Sequence, residues 1–89
     1  MTLRFDHGET RHVQLTIHSK KNEPFEIADA SYKLIRLGST EPEDSGMSNI
    51  YEHMIDTVIS PKEKGAYQLK VEYHIADETL IETVSIQVD

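Results

Sequence analysis

Cysteine and tryptophan are missing from this chain of 89 residues, and glycine and proline are scarce, with 4 and 3 residues respectively. The lack of cysteine excludes disulfide bonds, thiolate nucleophiles, and zinc or iron–sulfur sites built on cysteine. Without disulfides, the folded state must be stabilised by the packing of apolar side chains. The absence also agrees with a reducing compartment, where proteins keep few disulfides.

Positive charge is scarce as well, because 9 basic residues stand against 16 acidic ones and the formal net charge is -7. Such a balance repels phosphate backbones and anionic lipids, so we expect neither nucleic acid nor membrane as a partner. No apolar run approaches the roughly 20 residues that span a bilayer. Residues 1–10 lack the apolar centre of a secretory signal, and we therefore expect a cytoplasmic protein.

The length of the chain allows one domain with a thin core. Hydrophobic residues make up 37% and charged residues 28% of the sequence, proportions that favour a folded protein over a disordered one. We expect a single domain over residues 11–89 and a partly loose arm over residues 1–10. Leu3 and Phe5 alternate with polar residues inside this arm, which leaves a short edge strand as the alternative.

The clearest pattern lies near the C-terminus, where apolar and polar residues alternate in two successive runs. Alternation with a period of two predicts half-buried strands, and the polar break at residues 76–79 predicts an antiparallel hairpin. The apolar faces of the two runs consist of Tyr67, Leu69, Val71, Tyr73 and Ile75, and of Leu80, Val84, Ile86 and Val88.

The first of these two runs begins with a glycine and a tyrosine in the order Gly65-Ala66-Tyr67. The arrangement resembles the tyrosine corner of immunoglobulin-like sandwiches, in which a tyrosine hydroxyl binds the backbone of a preceding segment. We therefore predict that Tyr67 is buried and that its hydroxyl bonds to backbone.

Three further segments carry strand signals of differing strength. Residues 11–18 alternate, and residues 30–37 are apolar on both faces, which suits a central strand. Residues 38–46 are polar and predict an exposed loop or hairpin tip. Residues 47–60 fit a helical spacing as well as a strand, and their β-branched residues favour the strand.

Six or seven short strands separated by turns predict an all-β, immunoglobulin-like antiparallel two-sheet sandwich with Greek-key connections. The segments Pro24-Phe25-Glu26-Ile27 and Asp29-Ala30-Ser31-Tyr32 resemble the early strands of bacterial immunoglobulin-like modules, and loosely those of the YtkA-like family. The likeness continues through His53-Met54-Ile55, Gly65-Ala66-Tyr67-Gln68-Leu69 and Val84-Ser85-Ile86-Gln87-Val88. It implies a small sandwich module and, as an alternative function, copper or zinc binding or delivery.

Five histidines and three methionines offer imidazole and thioether ligands that suit copper or zinc. The ligand set for the metal-binding alternative is Met47, His53 and Met54, with help from His74. His12 and His18 cannot share an ion, because six residues of strand separate them by about 20 Å. A pair of His18 and His74 would need neighbouring strands in one sheet.

Catalysis is not expected, because no serine, histidine or acid lies in a recognisable setting such as G-x-S-x-G. The leading hypothesis is a non-catalytic interaction or structural module without a cofactor, within a bacterial or phage assembly. It would bind a protein partner through a sheet edge or loop end, and self-association through an edge strand stays open. The candidate surface residues are Ile35, Leu37, Tyr51 and Ile81.

Overall fold

The computed structural model describes residues 2–18 and 24–89. Within these ranges the protein is all-β, and two packed sheets form a sandwich, as the sequence predicted. The strands number eight rather than six or seven. They are β1 (Thr2–Phe5), β2 (Arg11–Thr16), β3 (Ile27–Arg36), β4 (Asp44–Met47), β5 (Asn49–Tyr51), β6 (Met54–Ile59), β7 (Gly65–Ile75) and β8 (Glu78–Val88). No helix in the described ranges is long and apolar enough to cross a membrane.

The larger sheet has the strand order β1-β8-β7-β3-β4, and the smaller one has the order β2-β6-β5. The predicted C-terminal hairpin is confirmed, since β7 and β8 pair in one unbroken register from Gly65 opposite Val88 to Ile75 opposite Glu78. Ala76 opens the turn between them with a φ of 54°. Strand β3 lies between β7 and β4 and is therefore central, as its two apolar faces indicated.

The core lies between the two sheets and confirms the predicted faces of the hairpin. Tyr67, Leu69, Val71 and Tyr73 of β7 are all buried, and the polar residues between them are directed away from the core. Val13, Ile55 and Ile59 supply the opposite wall from the smaller sheet, while Ile86, Val88, Leu34 and Phe5 complete the larger one.

The N-terminal segment differs from the partly loose arm that the sequence favoured. Thr2–Phe5 forms β1, and this strand runs parallel to β8, opposite Ser85–Val88. The sandwich therefore includes this segment, and its pairing is not purely antiparallel. The physical reason is burial, because the Phe5 ring is only 2% exposed and closes that end of the core.

Residues 47–60 are extended, which confirms the strand interpretation over the helix. The chain passes from the larger to the smaller sheet at Ser48, between β4 and β5. The Ser48 N–H donates to the Ala30 carbonyl over 2.9 Å, and the Ser48 and Thr57 hydroxyls are 2.7 Å apart in the interior. The polar stretch 38–46 forms the tip of the β3–β4 hairpin.

Candidate functional site: the free edge of β8 and its cleft

Strand β8 has two halves with different neighbours. Its second half, Ser85–Val88, is held between β7 and β1. Its first half, Glu78–Val84, pairs with β7 on one side, and no strand among the described residues pairs with it on the other. The free part, called here the β8 edge, is longer than the roughly five to six residues of a typical strand.

Hydrogen bonds at the end of β8 reveal which backbone groups point to the free side. The Asp89 N–H donates to the Phe5 carbonyl and the Asp89 carbonyl accepts from the His7 N–H, both over 2.9 Å. Backbone groups alternate along a strand, and the β7–β8 register is unbroken, so Ile81 and Thr83 point their N–H and C=O the same way as Asp89. Among the described residues, no strand pairs with these groups at the β8 edge.

A cleft opens beside the β8 edge, on its core-facing side. It is formed by the end of β2, the residues that lead into β3, and the β7–β8 turn. Its apolar lining consists of Ile17, Pro24, Phe25, Ile27, Ala28, Ile75, Ala76 and Leu80. Its polar lining consists of His18, Glu26, Tyr73, Asp77, Glu78 and Glu82. The cleft therefore joins apolar walls to several carboxylates.

Glu82 is the notable residue of this cleft because it occupies a core-facing position. It alternates with Ile81 and Thr83 and shares its side of β8 with Leu80 and Val84. The Tyr73 ring is only 4% exposed, and its hydroxyl lies near the Glu82 carboxylate. Burial first, and then the nearby Glu82 carboxylate, raise the pKa of Tyr73. The carboxylate itself remains accessible to solvent.

Phe25 is fixed in the cleft wall by a histidine from the smaller sheet. The His53 ring stacks on the Phe25 ring with centroids 4.1 Å apart, and His53 Nε2 donates to the Phe25 carbonyl over 3.0 Å. The adjoining Ile17 N–H donates to the His53 carbonyl over 2.8 Å. His53 is thereby a structural support of the cleft.

The predicted metal ligands are dispersed by the fold. Met47 lies 69% exposed on the larger sheet, whereas Met54 lies on the outer face of the smaller sheet, next in sequence to the buried Ile55. His74 binds the Asp29 carboxylate from β7. Within the described ranges, no three histidine or acidic side chains form a group that could hold a metal ion.

The second histidine pair suggested by the sequence does not form either. His18 follows β2 of the smaller sheet and lines the cleft, while His74 belongs to β7 of the larger sheet. Strands β2 and β7 are therefore not neighbours in one sheet, as a shared metal site of His18 and His74 would need. The copper or zinc alternative stays a prediction without a geometric argument in its favour.

The four predicted surface residues do not form one patch. Ile81 is 60% exposed on the outer side of the β8 edge, so it adjoins the site. Leu37 and Tyr51 are each 57% exposed, but Leu37 follows β3 in the larger sheet and Tyr51 lies in β5 of the smaller one. Ile35 is only partly exposed on β3.

Sequence reasoning missed Glu82 and Tyr73 as site residues. Tyr73 was assigned to the core and Glu82 to no role, although Glu82 interrupts the apolar face formed by Leu80, Val84 and Ile86. The available signal was a charged residue at a core-facing position of a strand. That signal indicates a site only when it is known that β1 covers the other half of β8 and not the half that contains Glu82.

A histidine–carboxylate pair elsewhere on the surface is separate from this cleft. His12 Nδ1 donates to Asp56 Oδ2 over 2.9 Å, with the Asp56 side chain buried and the His12 side chain 63% exposed. The pair joins β2 to β6 within the smaller sheet. Because neither residue lines the cleft, we assign the pair to the cohesion of that sheet.

Comparison with known proteins supports the fold alone. No family model matches the chain, and no curated protein matches it significantly. The crystal structure of an engineered protein matches 98% of the chain at 12% identity with a TM-score of 0.76. The endo-beta-1,4-mannanase from Thermotoga petrophila matches 98% of the chain at 11% identity with a TM-score of 0.66. The matched region spans 18% and 17% of those chains, respectively.

Proposed function

We propose that this domain is a non-catalytic interaction module that binds an extended segment of a partner protein along the β8 edge. The observation that carries the proposal is a set of N–H and C=O groups at Ile81 and Thr83, directly beside the cleft, that no backbone group of residues 2–18 and 24–89 pairs with. Addition of a strand to an exposed sheet edge is a common mode of peptide recognition. The main-chain hydrogen bonds supply affinity, and pockets for alternate side chains supply specificity.

The geometry of the β8 edge supports both parts of such recognition. A strand placed beside Glu78–Val84 would direct every second side chain into the cleft, toward Leu80 and Glu82. The intervening side chains would lie on the outer face near Ile81, which is already exposed and apolar. A bound segment would thus cover an apolar group on each side of the sheet.

An immunoglobulin-like character is part of the proposal. The sheet orders β2-β6-β5 and β3-β7-β8 support it, because they correspond to the B-E-D and C-F-G orders of that fold when β4 is treated as an additional strand. A cytoplasmic location and a role within a bacterial or phage assembly belong to the same proposal. The acidic charge and the absence of cysteine agree with the cytoplasm.

The experiment is an amide NMR titration of the isotope-labelled domain with an acetylated, amidated peptide, Thr-Val-Thr-Gln-Thr-Val-Thr. We expect the largest shifts at Thr79–Val84. Thr83→Pro removes one outward N–H and leaves the β7–β8 bonds in place, so we expect affinity to fall about tenfold. Thr83→Ala keeps that N–H and is the matched control, for which we expect unchanged affinity.

Two results would refute this binding mode. One is a set of shifts centred on another edge, such as β2 or β4. The other is a Thr83→Pro variant that is folded, as shown by its dispersed spectrum, and that binds the peptide as well as the Thr83→Ala variant does.

A further inference from the structure

We infer that the β8 edge selects a partner segment that directs a lysine or arginine into the cleft, opposite Glu82. The inference rests on the proposed function and adds the chemistry of the partner. It follows from the charges that line the cleft and from the apolar surface beside Glu82.

The first argument is charge complementarity. The described lining contains four carboxylates, from Glu26, Asp77, Glu78 and Glu82, and His18 is its one basic side chain. The whole chain, these carboxylates included, has a formal net charge of -7. A cationic side chain that enters this cleft therefore gains attraction, whereas an anionic one meets repulsion.

The second argument is the shape of a basic side chain. Lysine and arginine carry long alkyl stems that pack on apolar surface while their charged ends remain with polar partners. Ile17, Leu80 and Ile75 provide apolar surface in the same cleft that holds Glu82. The Glu82 carboxylate is exposed and lies near the Tyr73 hydroxyl. A carboxylate has about four acceptor sites, so acceptor capacity remains for a lysine or arginine donor.

The third argument concerns the other possible occupant, a second copy of this chain. Pairing of two β8 edges would bring the acidic linings of two clefts together and would add like charges at close range. An inward-pointing charge is a known means by which an edge strand avoids pairing with its own kind. Glu82 therefore opposes self-association and favours a basic segment of another protein.

The test uses three peptides that differ only in the central residue of Thr-Val-Thr-X-Thr-Val-Thr, where X is lysine, glutamine or glutamate. For the unmodified domain we expect affinity to fall in the order lysine, glutamine, glutamate, by roughly threefold or more per step at low salt. Glu82→Gln should reduce the difference between the lysine and glutamate peptides, and Glu82→Lys should reverse their order. Glu72→Gln is the matched control, because Glu72 lies on the polar face of the neighbouring strand β7 and should leave the order unchanged.

The outcomes separate this inference from the proposed function. If all three peptides bind equally and Thr83→Pro still weakens the binding about tenfold, the strand-addition function stands and the preference for a basic segment is overturned. If none of the three peptides binds, the proposed strand addition is refuted, and the preference for a basic segment is refuted with it. A concentration-dependent dimer that Thr83→Pro dissociates, seen by analytical ultracentrifugation, would make a second copy the occupant and would also overturn the inference.

Discussion

Strand β7 carries two tyrosines that differ in how their hydroxyls are enclosed. Tyr67 and Tyr73 are 1% and 4% exposed; the Tyr67 hydroxyl donates to Glu43, and the Tyr73 hydroxyl lies near Glu82. The Tyr67 hydroxyl also accepts from the Glu63 N–H over 3.1 Å, as a tyrosine corner predicts. Its partner Glu43 accepts from the Lys62 N–H over 3.1 Å. At one end the tyrosine and its glutamate are thus bound to the backbone N–H groups of Lys62 and Glu63, whereas at the other end the tyrosine and glutamate face a solvent-accessible cleft.

The difference arises from what covers each end of the sandwich. At the Tyr67 end, β1 adds the buried Phe5 ring, and the Arg11 guanidinium lies 4.6 Å from the centre of that ring. Arg11 also donates to the Arg4 carbonyl over 2.7 Å, which ties β2 to β1. The pairing of β1 with β8 begins at Thr2, opposite Ser85, so the Tyr73 end lacks this cover among the described residues. In the part of the chain that the structure describes, the Tyr67 end is therefore closed and the Tyr73 end is open.

Leucine truncation should give the largest contrast between the two ends. Leu69 is fully buried, and Leu69→Ala should destabilise the domain by about 2 to 5 kcal/mol, because it removes buried methyl groups and leaves a cavity. Leu80→Ala should cost about 1 kcal/mol, since Leu80 is only partly buried beside the cleft. Urea unfolding of both variants measures the two values. Equal losses of unfolding free energy would mean that the side chains around Leu80, at the cleft end, are packed as tightly as those around Leu69.

Removal of the tyrosine hydroxyls should give the next largest contrast. Tyr67→Phe leaves the Glu63 N–H without a partner and removes one of the two hydrogen bonds that the Glu43 carboxylate accepts, so we expect a loss of about 1 to 2 kcal/mol. Tyr73→Phe removes a hydroxyl that lies beside the solvent-accessible Glu82, so we expect a loss of about 0.5 kcal/mol. Urea unfolding at neutral pH compares them. A larger loss for Tyr73→Phe would contradict the assignment of the closed and open ends.

Glycine substitutions at the two ends of β7 should act in opposite directions. Ala76 has a φ of 54°, which is unfavourable for a residue with a Cβ, so Ala76→Gly should stabilise the domain by about 0.5 to 1 kcal/mol. Ala66→Gly is the control within the strand and should destabilise it by a similar amount. Thermal melts of the two variants give the signs. A destabilising Ala76→Gly would show that this turn has another conformation in solution.

Alkaline pH should reveal the smallest effect. Burial is the main cause that raises the pKa of Tyr67 and of Tyr73 above the ordinary value. Each raised pKa contributes to the free energy of unfolding. This contribution is fully present below the pKa of tyrosine in the unfolded chain, about 10, and is lost as pH rises through the pKa in the folded protein. Urea unfolding between pH 9 and 11 should show this decline, and each Tyr→Phe variant should show a smaller one. If the free energy of unfolding declines with pH equally in both variants and in the unmodified domain, the tyrosines do not cause the decline.

Much of the fold followed from local pattern. The alternation in residues 67–75 and 80–88 was enough to predict the hairpin and its buried face, because a period of two assigns each side chain to one side of a strand. The glycine and tyrosine of Gly65-Ala66-Tyr67 were enough to predict a buried ring with a hydroxyl bonded to backbone. These features depend on neighbours within a few residues or on one turn.

The candidate site depended on contacts that no local pattern contains. The pairing of Thr2–Phe5 with Ser85–Val88 joins the two ends of the chain, and parallel pairing has no turn that would set its register. That pairing decides which half of β8 is free, and hence that Glu82 lies beside an accessible edge. The passage at Ser48 likewise places Met47 and Met54 in different sheets, although only seven positions separate them. Residue types and strand faces were thus predictable from the sequence, whereas the tertiary structure alone determined which faces and edges remain uncovered.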